Sequence, residues 1–329
     1  MKRFVQFLGA ATLLLSFTQC SEDATTDSAP SVQGSVKLTA SINETRTELS
    51  GNDVLWKSND CLGLFCGTKF VNAPFTTTAG GTTSADFTGD PTDPSGSEAE
   101  VFYAYYPYSA HAVLEGSVVS GLSIPAVQTF ATKSFATELC PMATSGADYS
   151  RLAFRTIGTV LKFQVTGQKN VTKIELTGNN GEALAGDYTI DFVGETPEMK
   201  FSGTETTLTL TCSEPVALND ASATEFYFVL PAGVEFTKGI TVKVYTDDNA
   251  EPMVKEYASP LTTRPNKLVT VKAFTYSVPV TSIEEANEAL SKGTSGVTIT
   301  STTDLTVPST LEIPNAFGHG TSTSVEIEQ

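Results

Sequence analysis

The chain has 329 residues, as a soft prior about two domains, and its 40% apolar and 9% aromatic content exceeds that of a disordered chain. Twenty Lys and Arg against 37 Asp and Glu give a net charge of −17 and a pI near 4.5. So acidic a chain repels phosphate backbones, and no window holds three clustered basic residues, which argues against nucleic-acid partners.

Residues 1–19 read as a signal peptide. Lys2 and Arg3 form its positive start, and Phe4 to Phe17 is apolar except for Gln6, Gly9, Thr12 and Ser16. That run is too short for a transmembrane helix, which takes about 20 apolar residues, and suits a signal core. It ends in Phe17-Thr18-Gln19-Cys20, and a polar tether fills 20–33. A Cys that closes such a core resembles the lipobox of bacterial lipoproteins, with Gln19 and Phe17 standing where small and aliphatic residues are usual. The resemblance implies lipidation at Cys20 by acyl chains such as palmitate, which would anchor the chain to the outer membrane. Several chains anchor far better than one. An ordinary signal peptide cleaved nearby is the bland alternative. Glu22-Asp23 resembles the acidic export signal of surface lipoproteins in the Bacteroidales, and Asp27-Ser28-Ala29 resembles that group's O-glycosylation site, with Ser28 as acceptor. A plain solvated tether is the alternative to both. No later apolar stretch reaches membrane-spanning length.

From Gly34 the pattern alternates, with Val36, Leu38, Ala40 and Ile42 on one face. Strands are predicted at 62–66, 100–106 and 118–124, with a Gly/Thr/Asp/Pro-rich stretch at 76–99 read as a long loop. Residues 140–150 read as a compositional break. Further strands are predicted at 152–166, 171–176, 187–192, 206–211, 224–230, 240–245, 253–257 and 268–274. Turn signals such as Gly178-Asn179-Asn180-Gly181 and Asp247-Asp248-Asn249 separate them. Many short strands with such turns make sandwiches, and the length accommodates two, at 34–149 and 150–276.

The remaining residues offer little chemistry. Cys61, Cys66, Cys140 and Cys212 permit two disulfides, but Cys61 and Cys66 lie on opposite faces of one strand. Buried thiols are the simpler reading of the four. No metal site is expected, because only His111 and His319 exist and neither has a Cys nearby. Asp86, Asp90, Asp93, Glu98 and Glu100 lack the spacing of a calcium loop and read as solvated. Tyr103, Tyr105, Tyr106 and Tyr108 are a candidate glycan-stacking platform, although aromatics on both faces of one strand more often mark a strand buried on both sides. Trp56, the single Trp, reads as core. No catalytic residue and no cofactor motif is found: there is no G-x-S-x-G, no H-E-x-x-H and no phosphate-binding glycine loop.

The order of short segments from 34 to 275 carries a further resemblance. These are Glu44-Thr45-Arg46-Thr47; Trp56 with Asp60; Leu62-Gly63-Leu64-Phe65; Tyr105-Tyr106-Pro107-Tyr108; Ile124-Pro125-Ala126-Val127-Gln128; Pro141-Met142-Ala143; Phe154 to Val165; Phe226 to Pro231 before Gly239; and Arg264-Pro265-Asn266-Lys267. In that order they resemble the fimbrillin family of the Bacteroidales, the lipoprotein subunits of surface fimbriae. Asn59 departs from the glycine common before Asp60, and Pro265 splits a usual Arg-Asn pair. The resemblance implies an all-β fold of two tandem transthyretin-like β-sandwich domains, a surface or fimbrial location and no enzymatic activity. It also implies adhesion to host or bacterial glycans or proteins, and assembly with other fimbrial subunits by strand exchange, in which an extended segment fills a neighbour's groove. A glycan-binding surface module that does not polymerise is the alternative.

The tail, 277–329, differs. Ser282 and Glu285 offer a capping box for a short helix that carries Ile283, Ala286 and Leu290 and stops at Gly293. Short strands follow at Val297/Ile299, Leu305/Val307 and Leu311/Ile313. Helix, glycine and brief strands resemble the capping start of a right-handed parallel β-helix, which needs about three rungs for stability. A donor strand containing Val325/Ile327 is the competing reading. The anchor reading gives a direct prediction. Cys20→Ala should lose acyl labelling and move the protein out of the membrane fraction, whereas a variant that stays bound and labelled is not held by Cys20.

Overall fold

The computed structural model describes residues 35–42, 54–136, 139–280, 296–300 and 324–328, with the separate positions Glu285, Asn287, Glu288 and Ser291. Among them the chain is all-β with almost no helix.

Seven strands close into a barrel. They are β1 (Val36–Ile42), β2 (Cys61–Cys66), β3 (Phe70–Thr76), β4 (Ser84–Gly89), β5 (Phe102–Tyr106), β9 (Met142–Gly146) and β10 (Arg151–Thr156). Their spatial order is β1-β10-β9-β5-β2-β3-β4, and β4 returns to β1. Neighbours are antiparallel except β1 and β10, which run parallel from Thr39↔Arg151 to Ile42↔Phe154. The β1 alternation holds: Leu38, Ala40 and Ile42 are buried, and Lys37 and Thr39 are exposed. Inside the barrel, Trp56 is 1% exposed and donates its Nε1–H to Ala40 O at 3.0 Å. Phe87, Tyr106 and Phe154 meet its ring edge-on, with centroids 5.0, 5.3 and 5.7 Å away.

A second sheet lies over the outside of this barrel. It runs β14-β13-β7-β6, from β6 (Val113–Glu115), β7 (Val118–Ile124), β13 (Gly186–Asp191) and β14 (Glu198–Phe201). Val119, Leu122, Tyr188 and Ile190 of this sheet pack with Phe65, Tyr105 and Ala143, which point outward from the barrel. Strands β2, β5 and β9 are therefore covered on both faces.

Most of the remaining described strands form two sheets around a common core. One has the order β16-β11-β21, from β11 (Thr159–Thr166), β16 (Thr224–Leu230) and β21 (Lys267–Thr270), and β22 (Phe274–Thr275) also pairs with β11. The other, β19-β18-β12-β15-β8, uses β8 (Val127–Thr129), β12 (Asn170–Gly178), β15 (Thr207–Ala217), β18 (Ile240–Thr246) and β19 (Asn249–Tyr257). Leu161 and Phe163, with Phe226 and Phe228, meet Ile174, Leu176, Leu210 and Val242 between them. The opposite face of the first sheet, through Val160, Tyr227 and Val229, joins the barrel core. A small pair, β17 (Glu235–Phe236) with β20 (Leu261–Thr262), completes this part. Pairing crosses residue 150 in both directions: β10 belongs to the barrel, while β7 and β8 pair with β13 and β15.

Three expectations are corrected. The stretch 76–99 is not one loop, because β4 lies within it; only Ala85 and Phe87 face inward, too few apolar residues to stand out. The break at 140–150 contains β9, whose small Ala143 is 0% exposed beneath the covering sheet. The single strand at 152–166 is two, β10 and β11, separated at Ile157-Gly158.

In the tail, β23 (Val278–Val280), β24 (Gly296–Thr300) and β25 (Ser324–Glu328) form a parallel sheet, with Val278 beside Val297 and Val297 beside Val325. Val297/Ile299 and Val325/Ile327 thus fall on paired strands. Of the expected helix, Glu285, Asn287, Glu288 and Ser291 are helical; Ser282, Ile283, Ala286 and Leu290 lie outside the described residues. Leu305/Val307 and Leu311/Ile313 also lie outside them, as does the 43–53 stretch holding Glu44 to Thr47.

One buried side chain fastens an edge. Gln128 is 2% exposed; its Nε2 donates to Val229 O at 2.7 Å and its Oε1 accepts from Val229 N at 2.9 Å. It satisfies both backbone groups of an edge residue in place of a further strand. Gln128→Leu should leave both unpaired and cost about 1–3 kcal/mol for each in chemical denaturation. An unchanged midpoint would show that other groups satisfy Val229.

Candidate functional site

The four tyrosines separate according to the alternation of β5. Tyr106 faces the barrel interior and is 2% exposed; its hydroxyl donates to Asp60 Oδ1 at 2.9 Å. The other oxygen of Asp60 accepts from Lys57 N at 2.7 Å. Tyr105 faces outward beneath the covering sheet and is 0% exposed; its hydroxyl sits 2.7 Å from Asn72 Oδ1 and 2.9 Å from Ser109 O. Burial pushes its pKa far up. Gly63 provides the room, since a Cβ there would stand 2.2 Å from Tyr105 Cε1. Tyr103 and Tyr108 are half-buried, and the Tyr103 ring lies 5.0 Å from that of Phe192. Only these two of the four keep part of the ring at the surface. The structure does not bring the four together as one accessible face.

The thiols are poor nucleophiles. None of Cys61, Cys66, Cys140 and Cys212 is in a disulfide. Burial pushes the Cys61 and Cys212 thiols up to about 11 and raises Cys66 as well. Leu62, Leu64 and Cys66 belong to the barrel interior while Phe65 faces out, so Cys61 and Cys66 point to opposite sides.

The acidic residues around 86–100 are engaged locally. Asp86 pairs with Lys37 at 2.8 Å, and Glu98 with Lys69 at 2.7 Å while also accepting from the Tyr149 hydroxyl. Hydrogen bonds from Lys37, from Ser95 and from Lys69 hold Asp86, Asp93 and Glu98 respectively below the usual carboxylate range. Among the described residues no three His, Cys, Asp or Glu side chains gather as a metal site. His111 is exposed. Cys20 and Ser28 lie outside the described residues, and no described helix is long and apolar enough to cross a membrane.

The concave feature with mixed chemistry lies elsewhere. A cleft of about 390 Å³ opens where the end of β10, the start of β14, the turn after β16 and the turn before β21 meet. Ile157, Pro197, Met199 and Pro265 form its apolar wall, and Arg155, Glu198 and Asn266 also line it. Glu198 is paired with Lys200 at 2.6 Å. The Arg155 guanidinium has no hydrogen-bond or ion-pair partner among the described residues. Asn266 holds a left-handed backbone, φ 55°, and its N–H donates to Gly158 O at 3.0 Å. Its Oδ1 is buried without a hydrogen-bond partner among the described residues. Sequence reasoning named Asn266 only within the Arg264–Lys267 segment and Arg155 not at all. Four distant stretches build this cleft, and no local spacing announces it.

No family model matches the chain, and no curated protein sequence matches it. Among solved structures it is similar to a presumed cell adhesion protein of Bacteroides uniformis ATCC 8492, at 14% identity, covering 69% of this chain and 85% of that one, with a TM-score of 0.38. A presumed cell adhesion protein of Bacteroides fragilis NCTC 9343 gives 12% identity, 74% and 94% coverage and a TM-score of 0.39. The tip fimbrial protein Mfa3 of Porphyromonas gingivalis, with a C-terminal truncation, gives 12%, 70% and 83%, and 0.29. Likenesses at these identities and scores assign neither a family nor a function.

The thiols give a pH prediction. Cys61 and Cys212 titrate at 9.0 when unperturbed and near 11 in the fold, so their contribution to stability is complete below pH 9 and lost as pH rises toward 11. Alkylation of the native protein at pH 8 should be slow and should accelerate toward pH 11. Rapid labelling at pH 8, or a mass deficit from disulfides, would contradict the free, buried state.

Proposed function

We propose that this chain is a non-enzymatic, fimbrillin-like structural or adhesive subunit, displayed as an outer-membrane lipoprotein through Cys20. The observation that carries the reading is where the fimbrillin-like segments fall in the fold. Leu62 to Phe65 lie in β2, Tyr105 and Tyr106 in β5, and Met142 and Ala143 in β9. Phe154 to Val165 run through β10 and β11, Phe226 to Leu230 lie in β16, and Asn266 and Lys267 open β21. Trp56, Asp60 and Gln128 are buried polar or aromatic anchors of the same framework. The segments that carry the resemblance thus supply the buried strands of the barrel core, of the cluster beneath the covering sheet and of the second core.

In this reading 34–149 and 150–276 are two transthyretin-like units, joined by pairing that crosses residue 150. Assembly is by strand exchange with other fimbrial subunits, which supplies backbone hydrogen bonds along a sheet edge. The parallel strands β23, β24 and β25 support the β-helix-like reading of the tail over a single donor strand, because stacked parallel strands are how such a solenoid begins.

Antibody labelling of intact cells, with an antiserum to residues 54–276, tests the proposal. Surface label on filaments is expected, and it should fall sharply in Cys20→Ala cells. Label that appears only after permeabilisation would overturn surface display. Surface label without filaments, together with binding to a mucin or polysaccharide array, would favour the non-polymerising glycan-binding alternative.

A further inference from the structure

We propose that the cleft beside Arg155 binds an aliphatic carboxylate, of the kind presented by the C-terminal residue of a peptide chain. The inference is independent of the adhesive reading. It rests on three features that meet in one place.

The first is size and lining. At about 390 Å³ the cleft falls within the roughly 300–1,000 Å³ of small-ligand sites, and Ile157, Pro197, Met199 and Pro265 suit one aliphatic side chain. None of its lining residues is aromatic, so a sugar ring finds no stacking face there.

The second is charge. A chain of net charge −17 repels anions in general, so an anion is held only where a local donor outweighs that field. Arg155 is such a donor, with its guanidinium uncommitted among the described residues. Its planar fork matches a carboxylate with two parallel hydrogen bonds. Glu198, the acid on the same wall, is compensated by Lys200 at 2.6 Å, which reduces its opposition to a second carboxylate.

The third is Asn266. A buried acceptor requires a donor, and Asn266 Oδ1 has none among the described residues. A peptide end carries an N–H next to its terminal carboxylate. Asn266 Oδ1 is closed to solvent as it stands, so its side chain must turn toward the cleft for one ligand to supply both the acceptor for Arg155 and the donor that Asn266 lacks. Capture of a terminal carboxylate is an established mode of peptide recognition.

The test uses the full-length protein and N-acetyl-leucine, followed by ligand-observed NMR titration. Saturable binding is expected, weakened about tenfold or more with N-acetyl-leucinamide, which lacks the charge, and by a similar factor in Arg155→Gln. Asn266→Asp should also weaken it, since it sets a negative charge against the ligand. Arg155 is an exposed residue, so Arg155→Gln should melt with the parent protein and remain decisive should the Asn266 variant fail to fold. Absence of saturable binding, equal binding of the amide, or indifference to Arg155→Gln would overturn the proposal. Tighter binding of glucuronate than of N-acetyl-leucine would overturn it too, in favour of an acidic sugar.

Discussion

Strand β5 is packed on both faces, with only Tyr103 keeping part of its ring at the surface, and much of the surrounding architecture follows from that constraint. Phe102, Ala104 and Tyr106 fill the barrel, while Tyr105 points the other way into a second cluster. A strand covered on both sides needs both layers in place, so the covering sheet is part of the same packing problem as the barrel. That sheet draws β13 and β14 from beyond residue 150. Gly63 is bare because the Tyr105 ring occupies the position of its side chain. The hydroxyls of Tyr105 and Tyr106 each have a held acceptor. Asp60 is fixed by Lys57 N, and Asn72 donates its Nδ2 to Ser109 O at 2.9 Å. Phenylalanine at either position would strand those acceptors.

The sheet β16-β11-β21 repeats this two-sided logic. Leu161, Phe163, Phe226 and Phe228 serve one core, and Val160, Tyr227 and Val229 serve the other. Lys162 and Glu225 sit at its half-buried margin and pair at 3.2 Å, so polar residues there are neutralised rather than buried alone. Gln128 fastens the edge at Val229. The two cores are therefore linked through shared backbone, and a change at one reaches the other along one strand.

The all-β class and most strands were legible because apolar alternation survives wherever one face meets a core, as in β1, β11 and β18. It failed where the packing asks for small residues. β9 reads as Met-Ala-Thr-Ser-Gly, a loop-like composition, because it is sandwiched beneath another sheet. β4 carries two inward apolar residues among polar ones and resembles its flanking turns. Aromatics on both faces of β5 signalled two-sided burial, and burial is what removes Tyr105 and Tyr106 from any surface platform. The Arg155 cleft was not legible, since its walls come from segments far apart in the chain. The lipobox-like Cys20 and the Ser28 site were readable only as motifs, and they lie outside the described residues.

If two-sided burial of β5 is what the rest depends on, that strand should open last. Native-state amide hydrogen exchange on the whole chain reads this directly, because protection that persists to global unfolding marks the most cooperative part of a fold. The account predicts that the amides of Ala104 and Tyr105 exchange only through global unfolding, well after those of the edge strands β6 and β14. Exchange at β5 by local opening, as fast as at β6, would contradict it.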